Sequence, residues 1–551
     1  MKFSIMLWIA ATAAVTASAS AYAQTTRLQC FDDKGRPNAS SPHCFELNLP
    51  KDSQQLQWSA WLAPVGTTAG APIAVSGIVD DSRFVPTAIG PASPGDPANP
   101  DMLMFNTPLL PDLTFRPFGQ EERASAIRNR EGDTVTIACR PGRQPAGIVL
   151  KHRDTRWPRA AAGAVVLAGS GSTGFQWGIA AAGRDPGALY PLQPTVGTER
   201  VLGRIDLATL REGPANIDQN LVLVCPSEGA RLDLSDVHLS PRAAAAEGIR
   251  AAWVWQRNRW EDGGGDLLAD AVRYKVSRLY IALPIADGQV SGAGALRDFV
   301  SRAHGADIQV WAVEGDPEMV TDKGREQAVA RLRAIEQYQS LSAEPARLNG
   351  VQYDIEPYQL PAYRIEPQAV MHAWSTTIAA LGEAAALPLD TVVPFWLADA
   401  PGGNEVLDQI GRAGRSLTVM AYRTDAAQVQ RVAAPLLAWG AARNFPVSVA
   451  LENGPMQDEW TQTYAPVPPG GVGTLWLVPE DGKMVALRFN HATMLERGIG
   501  YVEQRRERID AGKVSFLGDP DRLLTVSASL QPVFRAWQNY AGIAFHGLLD
   551  R

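Results

Sequence analysis

The chain has 551 residues, 46% of them hydrophobic and 20% charged, which suits two or three globular domains and excludes a disordered or multi-pass membrane polypeptide. The 51 basic and 58 acidic residues give a net charge of -7, so there is no broad positive field of the kind that holds nucleic acid or an anionic membrane. The 49 Gly, 40 Pro and 15 Trp mark a turn-rich protein with more indole than an aromatic content of 8% leads one to expect.

At the N-terminus, Met1-Lys2 supplies a positive charge, residues 5–15 a short apolar run, and Ala21-Tyr22-Ala23 a small-x-small cleavage signal. Residues 1–23 therefore read as a signal peptide, and the chain is expected in the periplasm or outside the cell. The apolar run is shorter than the roughly 20 residues that span a bilayer, so no integral membrane segment is expected after cleavage. In an exported chain Cys30, Cys44, Cys139 and Cys225 point to disulfides. Of the three pairings, Cys30–Cys44 with Cys139–Cys225 is favoured. The first two are near in sequence, and the other two end apolar runs, 135–139 and 221–225, that look like paired strands. A zinc site is the alternative, but there is no Cys-x-x-Cys and only His43 stands beside a cysteine. No metal or cofactor is expected.

From residue 24 to 245, short β-rich segments such as 135–139 and 147–150 alternate with Gly and Pro clusters, the pattern of an all-β sandwich or jelly roll. The alternation over 231–239 resembles the closing strand of carbohydrate-binding jelly rolls. The Pro-rich stretch 92–100 reads as a long loop or a boundary between two smaller modules.

After residue 246 apolar strands alternate with amphipathic helices. The strands are 252–255, 278–283, 308–313, 350–355, 391–396, 417–421, 447–451 and 542–546, with helices at 295–302, 325–340, 367–385, 404–413 and 427–443. Eight such repeats in about 300 residues fit a C-terminal (β/α)8 TIM barrel over 246–551. An open doubly wound sheet is the alternative, without a Gly-rich phosphate loop to support it. Residues 474–489 read as a hairpin about Asp481-Gly482, added over the barrel mouth.

Active residues of such a barrel sit at the carboxyl ends of its strands. In Asn349-Gly350-Val351-Gln352-Tyr353-Asp354-Ile355-Glu356, alternation turns Gln352, Asp354 and Glu356 inward, the two acids about 7 Å apart at Cα. Acids at the end of an apolar strand are costly to desolvate unless a site uses or satisfies them. A buried ion pair with an Arg is the bland alternative.

This segment resembles the Asp-Gly-x-Asp-x-Asp-x-Glu motif of the chitinase-like family 18 glycoside hydrolases, with Asn349 and Gln352 in the first two acidic places. Met420-Ala421-Tyr422 is similar to that family's Met-x-Tyr on strand six. The resemblance implies a glycan substrate, Glu356 as general acid, Asp354 orienting a substrate acetamido group and Tyr422 as its partner. The substrate's own carbonyl then replaces an enzyme nucleophile. Departures are Arg423 where the family has Asp, His546 where strand eight usually offers Trp, and Glu314-Gly315 in place of Ser-x-Gly-Gly.

Glu452, ending strand seven, also resembles the nucleophile of retaining clan A glycosidases. Glu356 would then be acid/base, the two carboxyls about 5–5.5 Å apart. Substrate assistance is the favoured scheme. Glu314, Asp316, Asp399 and His546 could line the same mouth, though each alone is more often a cap or ion-pair residue. Ten Trp follow residue 246. Trp253, Trp255, Trp311 and Trp396 are read as sugar-stacking faces, with Gln352, Tyr358 and Tyr363 as further walls of the cleft and Trp374, Trp439 and Trp537 as core. The expectation is an exported glycoside hydrolase-like protein acting on a polysaccharide or oligosaccharide. A silent glycan-binding lectin and a structural envelope or secretion component are the alternatives.

Overall fold

The computed structural model describes residues 26–31, 43–48, 55–60, 72–80, 83–91, 105–129, 133–152, 161–181, 186, 188–195, 200–207, 219–242, 248–364, 366–480, 483–496 and 498–550. The expected signal peptide, the stretch 92–100, the turn at Asp481-Gly482 and the side chains of Cys30 and Cys44 lie outside the described residues.

Eight parallel strands close into a barrel: Ile249–Val254, Arg278–Ala282, Gln309–Glu314, Gly350–Tyr353, Leu389–Pro394, Ser416–Met420, Val447–Glu452 and Tyr540–His546. All eight strands read from the sequence are in it. The last closes the sheet by pairing with both the first and the seventh. The five expected helices are Ala293–Gly305, Asp322–Ser340, Pro367–Ala384, Gly403–Ala413 and Ala426–Arg443. Two more, Gly265–Arg273 and Pro520–Phe534, escaped the periodicity: one begins on Gly264-Gly265 and the other contains Pro532.

Alternation splits each barrel strand between two cores. Val351, Tyr353 and Ile355 of strand four join the layer that packs under the helices, as do Val447, Val449 and Leu451 of strand seven. Trp253, Tyr280, Trp311, Met420, Ala450 and Ala544 fill the lumen. By the same parity Gln352, Asp354, Glu356, Tyr422, Glu452 and His546 belong to the lumen side, and Glu314 and Arg423 to the helix side.

Between residues 105 and 242, a six-stranded and a five-stranded antiparallel sheet face one another. Trp177 of one lies so close to Gly203 of the other that a Cβ there would stand 2.7 Å from the indole. The Cys139–Cys225 disulfide forms, with its Cα atoms 5.7 Å apart, but as a link between sheets. Val135–Cys139 pairs with Ala124–Arg128 and Ala230–Pro241, whereas Gln219–Val224 belongs to the facing sheet, so the expectation that the two cysteine runs pair with each other is corrected.

The strands before residue 92 do not join this sandwich. Thr26–Phe31, His43–Asn48, Gln55–Ala60, Ile73–Asp80 and Arg83–Pro91 form a nine-stranded sheet with four strands inserted between barrel strands seven and eight: Glu459–Pro466, Gly473–Glu480, Lys483–Thr493 and Ile499–Ile509. The expected hairpin is present, with Glu480 opposite Lys483, but inside this sheet: its second strand pairs with Gln55–Ala60. The span 24–245 therefore divides, because pairing over some 400 residues of separation leaves no local period to read. In the same sheet the register sets Cys30 opposite Cys44. Its edge strand, Arg83–Pro91, runs beside the turn Pro361–Arg364 beyond Glu356. Among the described residues no helix is long and apolar enough to cross a membrane, and no cluster of three or more His, Cys, Asp or Glu could hold a metal.

Candidate active site at the barrel mouth

Strand four ends at Tyr353, and Asp354-Ile355-Glu356 carries the chain into the short 3-10 turn Pro357–Gln359. Gly315 makes room for this exit: a Cβ there would stand 2.4 Å from the Asp354 carbonyl oxygen. Both acids are withdrawn from water, Asp354 at 6% exposure and Glu356 at 8%. Burial raises Asp354 to about 6, with His546 opposing and Asp390 adding to the rise. Burial and the Asp354 charge raise Glu356 to about 8, with Glu452 adding, although Tyr358 donates a hydrogen bond to Oε1 and His546 opposes. Gln359 Nε2 donates to the other Glu356 oxygen. Asp354 Oδ1 is buried and has no hydrogen-bond partner among the described residues, an open acceptor beside a carboxyl that keeps its proton past neutrality.

On strands seven and eight, Glu452 Oε2 lies 2.7 Å from His546 Nδ1, and Glu452 Oε1 accepts the Gly454 N–H at 2.5 Å. Burial disfavours the imidazolium, but Glu452 overrides it and raises His546 to about 9. Trp255 Nε1 donates to His546 Nε2 at 2.9 Å. An indole N–H can only donate, so this contact exists only with a neutral imidazole whose proton sits on Nδ1. Protonating His546 therefore breaks its bond to Trp255, which opposes the rise that Glu452 causes.

The Tyr422 ring stands 6.4 Å from that of His546, and burial together with Glu452, Asp354 and Glu356 holds its hydroxyl well above the ordinary tyrosine value. Arg423 points the other way. Its guanidinium lies 4.8 Å from the Phe395 ring centroid and donates to the Tyr422 carbonyl at 2.5 Å, and burial lowers it to about 10.

Several expected cleft residues are buried in the barrel. Gln352, with 0% exposure, uses both ends of its amide: Nε2 donates to Asp390 at 2.6 Å and Oε1 accepts the Trp253 N–H at 2.6 Å. Trp253, at 1% exposure, is thus barrel filling, as is Trp311, which packs edge-on to Tyr280 and beneath the Arg278 guanidinium, 4.4 Å away. Tyr358 is buried against Glu356 instead of forming a wall, because its hydroxyl is spent on that carboxyl. Its ring meets Trp396 edge-on at 5.0 Å, and Tyr363 lies 6.2 Å from Trp396. Trp396, Tyr363, Trp255 and Tyr422 are the half-buried aromatics of the mouth. Trp374 and Trp537 are core, and the half-buried Trp439 packs on Phe445 and Arg443. Glu314 binds Arg331 at 2.5 and 2.9 Å on the helix side, and Asp316 caps the next turn through the Glu318 N–H, so neither serves the mouth. Asp399 sits in the short turn Leu397–Asp399.

Sequence reading missed Asp390 and Gln359. Asp390 is one residue N-terminal to the strand as read; extending 391–396 by that residue would have put an acid on the lumen face.

No family model matches the chain, and no curated protein is similar to it. Among solved structures, a GH18 chitinase from Cycas revoluta in complex with (GlcNAc)3 is 12% identical, covering 55% of this chain and 96% of its own, with a TM-score of 0.30. The C-terminal domain of a putative chitinase from Desulfitobacterium hafniense is 11% identical over 55% and 94%, with a TM-score of 0.30. The Bacillus cereus spore cortex-lytic enzyme SleL is 9% identical over 57% and 73%, with a TM-score of 0.29.

Proposed function

We propose that the protein is a glycoside hydrolase-like enzyme that cleaves a polysaccharide or oligosaccharide by acid catalysis at Glu356, with Asp354 and Tyr422 assisting. The observation that carries this reading is the buried pair itself. Glu356 is raised to about 8, so it holds a proton to donate at neutral pH, and Asp354 beside it offers an unpartnered buried oxygen to a substrate N–H or O–H. Protonation of the glycosidic oxygen by Glu356 breaks the C1–O bond. A substrate acetamido carbonyl, its N–H bound by Asp354, attacks C1 as the leaving group departs, and water, giving a proton back to the Glu356 carboxylate, then opens the intermediate. The engagement of both Glu452 oxygens, by His546 and Gly454, supports this over a scheme with Glu452 as nucleophile.

The half-buried Trp255, Trp396 and Tyr363 suit sugar-ring contact. A lectin-like reading is kept by Gln352 and Arg423, which stand where the resembled family has acids. The proposal includes export to the periplasm or medium, in keeping with residues 1–23 and with the disulfide, which needs an oxidising compartment. Incubating the protein with a panel of neutral and N-acetylated oligosaccharides, with product analysis, tests the reading. Cleavage that is lost in Glu356→Gln supports it, and tight binding without cleavage selects the lectin.

A further inference from the structure

Barrel strands four, five and six bring Gln352, Asp390 and Ser416 into one row, each the register partner of the next. Asp390 lies in the lumen almost without exposure. Its Oδ1 accepts the Ser416 hydroxyl at 2.5 Å, and its Oδ2 accepts the Thr418 hydroxyl at 2.8 Å and Gln352 Nε2 at 2.6 Å. Three donors converge on one carboxyl group, the surroundings of an acceptor-only carboxylate. The amide of Gln352 has one allowed orientation. With Trp253 donating to Oε1, a flip would set donor against donor at the indole and acceptor against acceptor at Asp390. The row is therefore rigid, and the next lumen residue up strand four from Gln352 is Asp354, whose Oδ1 is open.

We propose that Asp390 is a positioning residue for the Asp354–Glu356 pair: with its oxygens taken by Ser416, Thr418 and the Gln352 amide, it is a fixed group one row below Asp354 and sets the surroundings in which the Asp354 carboxyl meets a substrate. This rests on the site reading above and adds a residue that touches no substrate. The titratable groups around Asp354 are Asp390 below it, Glu356 on its own segment, His546 from strand eight, and the hydroxyls of Tyr358 and Tyr422. Of these, Asp390 adds to burial in raising Asp354, whereas His546 opposes it. Removing Asp390 takes away its contribution to the rise, and Asp354 ionises at lower pH.

The test is an infrared titration of the buried carboxylic C=O stretch in the full chain, with Asp354→Asn identifying the Asp354 band. In Asp390→Asn the midpoint of that band is expected to fall by on the order of one unit. The double variant Gln352→Glu/Asp390→Asn, which returns one acid to the row, is expected to bring the midpoint back to the wild-type value or above. An Asp354 midpoint unmoved in Asp390→Asn overturns the proposal, and so does a double variant whose midpoint stays as low as that of the single one. If Asp390→Asn does not fold, the double variant decides alone: a midpoint clearly below the wild-type value rejects the role. The readout does not depend on turnover, so failure of the glycan reading shows separately, as wild-type protein that neither cleaves nor binds the oligosaccharide panel.

Discussion

Glu452 Oε2 lies 2.7 Å from His546 Nδ1, which makes the carboxyl at the end of strand seven the partner of an imidazole before any substrate arrives. With its other oxygen on the Gly454 N–H, Glu452 is held as an anchor for His546. Glu452→Gln is accordingly expected to lower His546 and to slow glycan cleavage about tenfold, the scale on which loss of an indirect orienting contact acts. Azide is not expected to restore the rate. Near-complete loss of turnover with azide rescue would mark Glu452 as a nucleophile.

The pH dependence follows from the two carboxyls. Glu356 must hold its proton to act as an acid, so kcat/KM falls as pH rises through about 8. Asp354 must be ionised to accept a substrate donor, so the rate also falls as pH drops through about 6. Initial rates across pH should trace a bell whose limbs belong to the coupled pair. A profile flat through neutrality up to high pH would remove Glu356 as the acid.

The same shift makes a stability statement. Glu356 is raised from its ordinary 4.5 to about 8, so the stability contributed by its neutral form is fully present below pH 4.5 and is lost as pH rises toward 8. Glu356→Gln carries no such loss. Relative to wild type its stability is expected to increase between those pH values by on the order of a few kcal/mol, measured by denaturant unfolding at both ends. An equal difference at both pH values would contradict the raised carboxyl.

Trp253→Phe separates barrel filling from sugar contact. It leaves Gln352 Oε1 buried without its donor and is expected to destabilise the protein by about 1–3 kcal/mol, with oligosaccharide affinity unchanged. Weakened affinity at unchanged stability would put the indole in the cleft.

The barrel was legible because each of its strands is a local apolar run and five of its helices follow a local period, and the lumen face of 352–356 follows from alternation alone. The nine-stranded sheet was not legible: Gln55–Ala60 meets Lys483–Thr493 through backbone hydrogen bonds that leave no mark in either segment. Within the site, Asp354 and Glu356 announced themselves as acids on an apolar strand. Tyr358, Trp253 and Gln352 were placed at the right element but at the wrong depth, because the sequence shows which face a side chain takes but not how far below the mouth it lies. Asp390 was lost by a strand boundary drawn one residue late.

The most direct measurement is turnover of the oligosaccharide panel by Glu356→Gln beside its binding affinity. Loss of the general acid is expected to reduce kcat by at least about 10²–10⁴-fold while affinity for the same oligosaccharide is kept. Turnover unchanged from wild type would contradict the central role of Glu356.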